Sequence, residues 1–329
     1  MFTKTNIITM CLLTSLLLTG CGGESAQSAT TTPVPKLKYE VEDTAAPVVY
    51  FTKDVSPEGL MKVYKKLGQD LQGKVGIKVS FGGDNEQYLD PELMRNLIQE
   101  TGGTFIDTNG FTAPRNTSEG NRTMAEKHGF TKVAPVDILD EEGDIDLPVT
   151  GGYHLTHART GAHFDRYDTL IAVHRFKAHY LPIYGGNMKN ISLSLGSLSG
   201  KALIHSAGEV DSYYKGLGEK ETAESFADAA KAAMDYKKGH WAFINVMDAF
   251  VPTDNCTGTK NLGNIGILAS LDPVAIDAAS VDFEYGAAPD EDTRAKWEEA
   301  HSTDILDYAE KIGVGKRHYR LIHIDENEK

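Results

Sequence analysis

Cysteine is scarce in this chain, and its scarcity excludes a disulfide-stabilised fold. Cys11 and Cys21 lie in or directly after an apolar N-terminal segment, which leaves Cys256 alone in the remainder. One cysteine cannot form an internal disulfide. Cys256 is therefore either a small buried apolar residue or a functional thiol.

Long apolar runs are also absent, apart from one near the N-terminus. The run from Ile7 to Leu18 follows an early lysine, Lys4, and is too short to span a bilayer comfortably. This pattern predicts a cleavable signal peptide. The letters LTGC that end at Cys21 resemble the cleavage box of a bacterial lipoprotein, so we expect residues 1–20 to be removed and Cys21 to carry palmitate-type acyl chains. The alternative is a plain secretory signal with an incidental cysteine.

Basic residues are few, since 33 Lys and Arg face 47 Asp and Glu and give a formal net charge of -14. Such a surface excludes nucleic acid, or an anionic bilayer, as its general electrostatic partner. Residues 21–46 are rich in Ser, Thr and Pro and predict a flexible tether. We expect an extracytoplasmic protein of the bacterial cell envelope that meets the membrane only through the lipid on Cys21.

Short apolar runs that alternate with amphipathic stretches fill the rest of the chain. From Val48 the segments VVYF, SPEGLMKVYKKLG, KVGIKVSFG, DPELMRNLIQETGG and TFIDTNG predict strand, helix, strand, helix, strand. Asp90 before Pro91 predicts a helix start, and Gly102 its end. The series predicts an α/β fold with largely parallel sheets flanked by helices.

Length and pattern together predict a domain at 47–329 with two lobes, about 47–150 and 151–329, and a cleft between them. Within it, KVAPVDILD and TLIAVHRF are predicted strands, and DEEGDID an exposed turn. Three segments are each predicted to form a helix: ETAESFADAAKAAMDYKKG, DPVAIDAASVDFEYG and RAKWEEAHSTDILDYAEKIG. WAFINVMDAF, NIGILAS and YRLIHID are predicted strands.

Polar turns follow two of the first strands, where α/β proteins bind ligands. Asn109 and Arg115 lie in the turn after TFI and are candidates for ligand contact. The alternative is that they are turn residues that cap the next helix.

Bases gather in one place, FKAHYLPIYGGNMKNISLSLGSLSGKALIH at 176–205. Gly185 and Gly186 are predicted at a turn, with Lys189 one turn into a helix, so that backbone N–H groups approach an anion. The other bases nearby are His174, Lys177, His179, Lys201 and His205. A lysine here could bind carboxylate or phosphate, or act as base or nucleophile if desolvated. The alternative is a set of solvated surface charges; a phosphate-binding Walker loop is absent.

Two further groups of residues are candidates for chemistry. His154, His157 and His163 suggest a metal site, but their spacing is not that of a zincin helix, and scattered polar histidines are the other interpretation. We assign no metal. Asp254 and Cys256 follow WAFINVMDAF and could supply an acid–base partner to the lysines. Asp272 is predicted to cap the following helix, which also carries Asp277.

These segments resemble the domain of unknown function 362 family. The resemblance lies in KVGIKVSFGG with YLDPELMRNLI, in VHRFKAH followed by YGGNMKNISLSLGSLSGK and IH, and in NIGILASLDPVAIDAASVDF, and it covers about Val48 to Gly286. Many members carry a ferredoxin-like insert with cysteine motifs. Residues 206–224 here contain no cysteine, so no iron–sulfur cluster is expected. Members also tend to have a cysteine pair where this chain has Asp254 and Cys256.

The order of the motifs is distantly similar to the lactate racemase family, in which a Gly-Gly-x-Lys segment holds a nickel-pincer nucleotide. The similarity implies a two-domain α/β architecture and implicates Lys189. It does not by itself imply a nickel cofactor here, and the cofactor is unknown.

The sequence thus predicts a lipoprotein enzyme that acts on a small anionic molecule bearing carboxylate or phosphate. A noncatalytic lipoprotein that binds a small molecule or a metal is the alternative. The predicted catalytic residues are Lys189, His179, His205 and Cys256. The predicted ligand-binding residues are Lys177, Gly185, Gly186, Asn190, Lys201, Arg115 and Asp254.

Overall fold

A mixed sheet with helices against both faces forms the frame of the protein. The computed structural model describes residues 37–69, 72–84, 88–178, 184–213, 219–248, 263–288, 290–300 and 303–325. Within this part the strands are Val48–Thr52 (β1), Val75–Lys78 (β2), Thr104–Asp107 (β3), Val136–Ile138 (β4), Asp144–Pro148 (β5), His157–Gly161 (β6), Thr169–Arg175 (β7), Lys177–Ala178 (β8), Tyr184–Gly185 (β9), Trp241–Met247 (β10), Gly266–Ser270 (β11) and Arg320–His323 (β12).

Helices connect most of these strands. Over the same described residues they are Pro57–Lys66 (α1), Arg95–Thr101 (α2), Ser118–Lys127 (α3), Phe130–Val133 (α4), Asn187–Asn190 (α5), Leu198–His205 (α6), Glu219–Tyr236 (α7), Pro273–Gly286 (α8), Glu291–Ala300 (α9) and Asp304–Lys311 (α10). Two 3-10 turns, Pro91–Met94 and Ala162–Arg166, complete the set. No helix in the described ranges is both long and apolar enough to cross a membrane.

Eight of the strands pair in the order β12-β1-β11-β10-β7-β2-β3-β4. Every neighbouring pair is parallel except the two that involve β11. The predicted α/β fold with largely parallel strands is confirmed. β2, from the first predicted lobe, pairs with β7, from the second, so strands on both sides of residue 150 share this one sheet.

The direction of winding reverses between β2 and β7. The chain steps outward from β2 to β3 and β4, then returns to the other side of β2 as β7 and continues through β10 and β11. Such a reversal leaves a crevice at the carboxyl ends of the two strands where it occurs, which is where α/β proteins bind ligands. Lys78 is the last residue of β2 and Arg175 is the last residue of β7, so both residues lie at the strand ends that border this crevice.

Both faces of the sheet are buried. Along β7, Leu170 and Ala172 pack on one face, and Ile171 and Val173 pack on the other. Because side chains alternate between faces along a strand, an unbroken apolar run such as TLIAV is expected where helices cover both sides. The first face is covered mainly by α7 and α8, and the second by α1 and α2.

Helix ends follow their local sequence signals. Asp90 caps the 3-10 turn that precedes α2, and Gly102 ends α2 in a left-handed conformation with φ of 62°. Asp272 caps α8 by accepting from the N–H groups of Val274 and Ala275, as predicted.

Three predicted elements were wrong in part. The turn DEEGDID leads into strand β5, whose Leu147 is buried against the core and whose backbone pairs with β6. The strand predicted over KVAPVDILD covers only β4, because Lys132 and Val133 belong to helix α4. The single closing helix is two helices, α9 and α10.

Candidate functional site

A buried ion pair lies where β2 and β3 end. The Lys78 side chain is 0% exposed, and its Nζ donates to Asp107 Oδ1 at 3.0 Å, Asn190 Oδ1 at 3.1 Å and the Val79 carbonyl at 2.7 Å. Asn190 Nδ2 in turn donates to the Lys78 carbonyl at 3.2 Å. Asn190, predicted to bind ligand, therefore ties helix α5 to the end of β2.

Arg115 completes the pairing of Asp107. Its NH2 donates to Asp107 Oδ2 at 2.6 Å, and its Nε donates to Asn121 Oδ1 at 2.8 Å. Burial pushes the pKa of Asp107 upward, but Lys78 and Arg115 outweigh it and hold that pKa below its ordinary value. The carboxylate thus anchors two cations at the sheet edge. Arg115, predicted to bind ligand, lies beside Asp107 and pairs with it.

A second buried lysine, Lys201, lies beside this pair. Its Nζ donates to Thr108 Oγ1 at 2.6 Å and to the Gly196 carbonyl. Burial lowers the pKa of Lys201 to about 7, although the nearby Asp140 and Asp107 oppose that shift. Burial also raises the pKa of Asp140, which accepts from the Asn109 N–H at 3.0 Å.

The Gly-Gly loop is held by a carboxylate of the chain itself. Asp277 is fully buried and accepts from the N–H groups of Asn187 and Met188, both at 2.8 Å, and from Asn245 Nδ2 at 2.7 Å. The anion expected at the start of this helix is therefore Asp277 of α8. A Cβ on Gly186 would lie 2.6 Å from Asp277 Oδ2, so glycine there permits this close approach.

The charge of Lys189 acts on two buried histidines of this edge. Burial lowers the pKa of His174 well below its ordinary value, and the charges of Lys177 and Lys189 lower it further. Burial likewise lowers the pKa of His205 to about 4, again with Lys189 contributing. Both histidines are neutral at physiological pH.

Comparison with protein families decides the family of this chain. The family model named Domain of unknown function (DUF362) matches residues 75–282, which is more than half of the sequence. The chain belongs to the DUF362 family. No curated protein matches it.

Two solved structures are similar to parts of this chain. One is a protein from Thermotoga maritima, with 12% identity and a TM-score of 0.43, whose match covers 75% of this chain and 59% of that one. The other is the lactate racemase apoprotein from Thermoanaerobacterium thermosaccharolyticum, with 13% identity and a TM-score of 0.40, whose match covers 64% of this chain and 52% of that one. This chain thus spans little more than half the length of either.

The DUF362 segment brings together most of the predicted site residues that the structure describes. The charge of Lys189 acts on both His174 and His205, that of Lys177 on His174, and that of Lys201 on His205. Gly185 lies in β9, where it pairs with Lys177 of β8. Four predicted residues, Cys21, His179, Asp254 and Cys256, lie outside the described residues.

Sequence reasoning missed several members of this site. Lys78, Asp107 and Thr108 were not singled out, and Asp140 and Asn245 were not weighed at all. One signal was present: Lys78 interrupts the apolar run VGIKV, and a lysine inside a buried parallel strand needs a partner. The partner, Asp107, ends the next strand of the sheet.

The three other histidines do not form a shared site. His163 Nδ1 lies 2.7 Å from Asp137 Oδ1, and His154 Nε2 lies 2.7 Å from Glu224 Oε2. His157 lies 3.7 Å from Asp146. Each has its own carboxylate, and the described ranges hold no group of three or more potential ligands arranged to bind a metal ion.

A surface depression of about 920 Å³ lies at the opposite edge of the sheet, near the amino ends of β2, β7 and β10, and is lined by residues that include Gln72, Asp168 and His240. It lacks the buried ionisable groups found at the carboxyl edge. We place the candidate site at the carboxyl edge, because the winding reversal and the perturbed lysines and histidines coincide there.

Proposed function

We propose that this DUF362 protein is an extracytoplasmic lipoprotein enzyme that binds a small anion beside Lys189 at the carboxyl edge of the sheet. The anion carries a carboxylate or a phosphate. The observation behind this proposal is the concentration of positive charge at the point where the winding reverses, in a chain whose formal net charge is -14.

Charge is the first support. Among the described residues that carry this proposal, the cationic side chains outnumber the carboxylates even when Lys201 is left out of the count. The cations are Lys78, Arg115, Lys177 and Lys189, and the carboxylates are Asp107, Asp140 and Asp277. An anion about 4 Å from one ammonium gains roughly 4 kcal/mol at the effective dielectric of a protein surface. A bound anion would offset the excess.

The second support is that the buried and the half-buried lysines have different roles. Lys78 and Asp107 are fully buried and brace the frame, whereas Lys189 and Lys177 are half-buried and able to meet a ligand. His205 is neutral and can exchange a proton with a bound molecule. We propose Lys189 as the anchor of the anion, with Lys177 and Arg115 beside it. His179, Asp254 and Cys256 are proposed to complete the site.

Ligand binding tests this proposal directly. Organic acids, sugar phosphates and nucleotides are screened for a rise in melting temperature of the purified protein, since a ligand at 100 times its Kd stabilises the native state by about 2.7 kcal/mol. Lys189→Ala is expected to weaken the best ligand at least tenfold. Lys220→Ala, which removes an exposed lysine on α7, is the matched control and is expected to bind normally.

Two outcomes would contradict it. Native affinity in Lys189→Ala would remove the proposed anchor. A ligand that binds at Lys189 but is returned chemically unchanged after prolonged incubation would favour the noncatalytic binder over the enzyme. Elemental analysis and native mass spectrometry of the purified protein identify any metal or small molecule that copurifies.

Anchoring is tested separately. We propose that Cys21 carries the lipid and that residues 21–46 hold the domain off the membrane. Cys21→Ser is expected to move the protein from the membrane fraction to the soluble fraction of the cell envelope, with no change in ligand binding. A protein that stays in the membrane fraction after this change would refute acylation at Cys21.

A further inference from the structure

The two buried lysines of the site have different kinds of partner. Lys78 Nζ lies 3.0 Å from a carboxylate oxygen of Asp107. Lys201 Nζ bonds only neutral oxygens among the described residues, namely Thr108 Oγ1 and the Gly196 carbonyl. Burying an ammonium without a direct counter-ion is costly, and a lysine in that position relieves the cost by losing its proton.

The hydrogens around Lys201 can be counted. Thr108 uses its own hydroxyl hydrogen to bond the Ser194 carbonyl at 2.9 Å, so its oxygen accepts from Lys201. Gly196 offers a carbonyl, which can only accept. A neutral amine has two hydrogens, which these two acceptors satisfy, and a lone pair that remains. An ammonium would leave a third N–H without an acceptor among the described residues, at a side chain that is 8% exposed.

The charged groups that face Lys201 act in opposite directions: Asp140 and Asp107 favour its ammonium form, and burial outweighs them. Lys78 and Arg115 disfavour a further positive charge, and burial lowers its pKa to about 7. Asp107 is already engaged by Lys78 and Arg115, and Asp140 by the Asn109 N–H. His205, the other titratable group nearby, is neutral.

We propose, building on the anion site proposed above, that Lys201 is the reactive amine of this site and that its substrate is a small carboxylate bearing an aldehyde or ketone. In the step, the Nζ lone pair forms a C–N bond to the carbonyl carbon and the C=O π electrons move to oxygen. Nitrogen gives up its two protons, the oxygen takes up two and leaves as water, and the nitrogen lone pair completes the C=N bond of a neutral imine. The carboxylate lies toward Lys189, which leaves the carbonyl for Lys201.

Trapping with glyoxylate, the smallest aldehyde that carries a carboxylate, tests this proposal. Full-length protein in mild detergent is incubated at pH 7 with glyoxylate and sodium cyanoborohydride, which reduces an imine to a stable carboxymethyl amine. Peptide mass spectrometry then reports the extent of modification at each lysine. At pH 7 about half of a lysine whose pKa is about 7 is neutral, compared with fewer than ~1 in 1,000 of an ordinary exposed lysine.

Lys201 is expected to be modified at least tenfold faster than exposed Lys220, to saturate with glyoxylate, and to show half-maximal rate near pH 7. The pH profile is measured on the wild-type protein, so it needs no variant of Lys201 that could fail to fold. Modification of Lys201 no faster than Lys220, or a profile that is still rising at pH 10, would overturn the proposal.

Oxalate, a carboxylate without an electrophilic aldehyde, separates this inference from the proposed function. If oxalate raises the melting temperature and Lys189→Ala abolishes that rise while Lys201 stays unmodified, the anion site stands and the reactive amine is refuted. If Lys201 is modified without saturation and oxalate does not bind, the low pKa stands but both the anion site and the assigned substrate class fail.

Discussion

Asp277→Ala is the most informative single change, because Asp277 holds the Gly-Gly loop that carries Lys189. Removing the carboxylate leaves three buried donors without their acceptor: the N–H groups of Asn187 and Met188, and Asn245 Nδ2. Hydrogen bonds to a charged group contribute about 1.5–3 kcal/mol each, so the lost bonds amount to roughly 5–9 kcal/mol.

Burial of the Asp277 carboxylate offsets part of the stability that these hydrogen bonds contribute. It raises the pKa of Asp277 to about 6 even though the hydrogen bonds lower it, so burial alone disfavours the ionised carboxylate by more than roughly 3 kcal/mol at neutral pH. Alanine removes that penalty. We therefore expect Asp277→Ala to lower the free energy of unfolding by less than about 6 kcal/mol. Asp277→Asn will not rescue it, because its amide N–H₂ would face a backbone N–H in place of one oxygen.

Chemical denaturation followed by circular dichroism measures the loss of stability, and ligand titration measures the effect on the site. Asp282→Ala is the matched control on the same helix: Asp282 is also buried and accepts from the Tyr39 N–H and the Tyr319 hydroxyl, away from the loop. Both variants are expected to lose stability, but only Asp277→Ala to lose affinity for the anion at a temperature where both are folded. Equal affinity in the two variants would refute the role of Asp277 in positioning Lys189.

Three further predictions follow from the same contacts. Gly186→Ala is expected to lower the free energy of unfolding, measured by denaturation, by more than about 2 kcal/mol, because the new Cβ would lie 2.6 Å from a buried carboxylate oxygen. Gly185→Ala should lower it less, because its Cβ would meet the flexible Lys177 side chain at 3.0 Å. Lys201 binds fewer protons in the folded than in the unfolded state between pH 7 and about 10, so stability rises with pH there by up to about 1.4 kcal/mol per pH unit, and Lys201→Met should flatten that rise. His205, whose pKa is about 4, binds fewer protons folded than unfolded as pH falls from about 6.5 to 4, so His205→Gln should make melting temperature less sensitive to acid in that range. An unchanged pH profile in either variant would contradict the assigned protonation state.

The architecture was largely predictable because its signals are local. The apolar runs of β7 and β10 are the pattern of strands covered on both faces, and Asp272 before Pro273 marks the start of α8. The order of the strands was not predictable, since nothing local in the chain states that β7 returns beside β2. Strands from both sides of residue 150 share one sheet because of that order.

The sequence indicated where the candidate site lies, but not its internal pairing. The cluster of bases at 176–205 pointed to Lys189, Lys201 and His205, and the charges of both lysines act on His205. Their partners are distant in sequence: 93 residues separate Lys201 from Thr108, and 90 separate Asn187 from Asp277. No periodicity connects such residues. The glycines illustrate the difference, because their spacing suggested a loop for an external anion, while the loop N–H groups bond an internal carboxylate.

The internal pairing explains how an acidic protein can maintain a basic edge. A buried cation requires a partner, and the buried bases of this edge meet that requirement in different ways. Lys78 shares Asp107 with Arg115, Lys201 bonds neutral oxygens, and His205 stays neutral. Lys78 and Arg115 thus engage Asp107, while Lys201 bonds no carboxylate in the described part of the chain. Under the proposed function, this basic edge sets the sign of the ligand, and the protonation state of Lys201 sets the chemistry available to it.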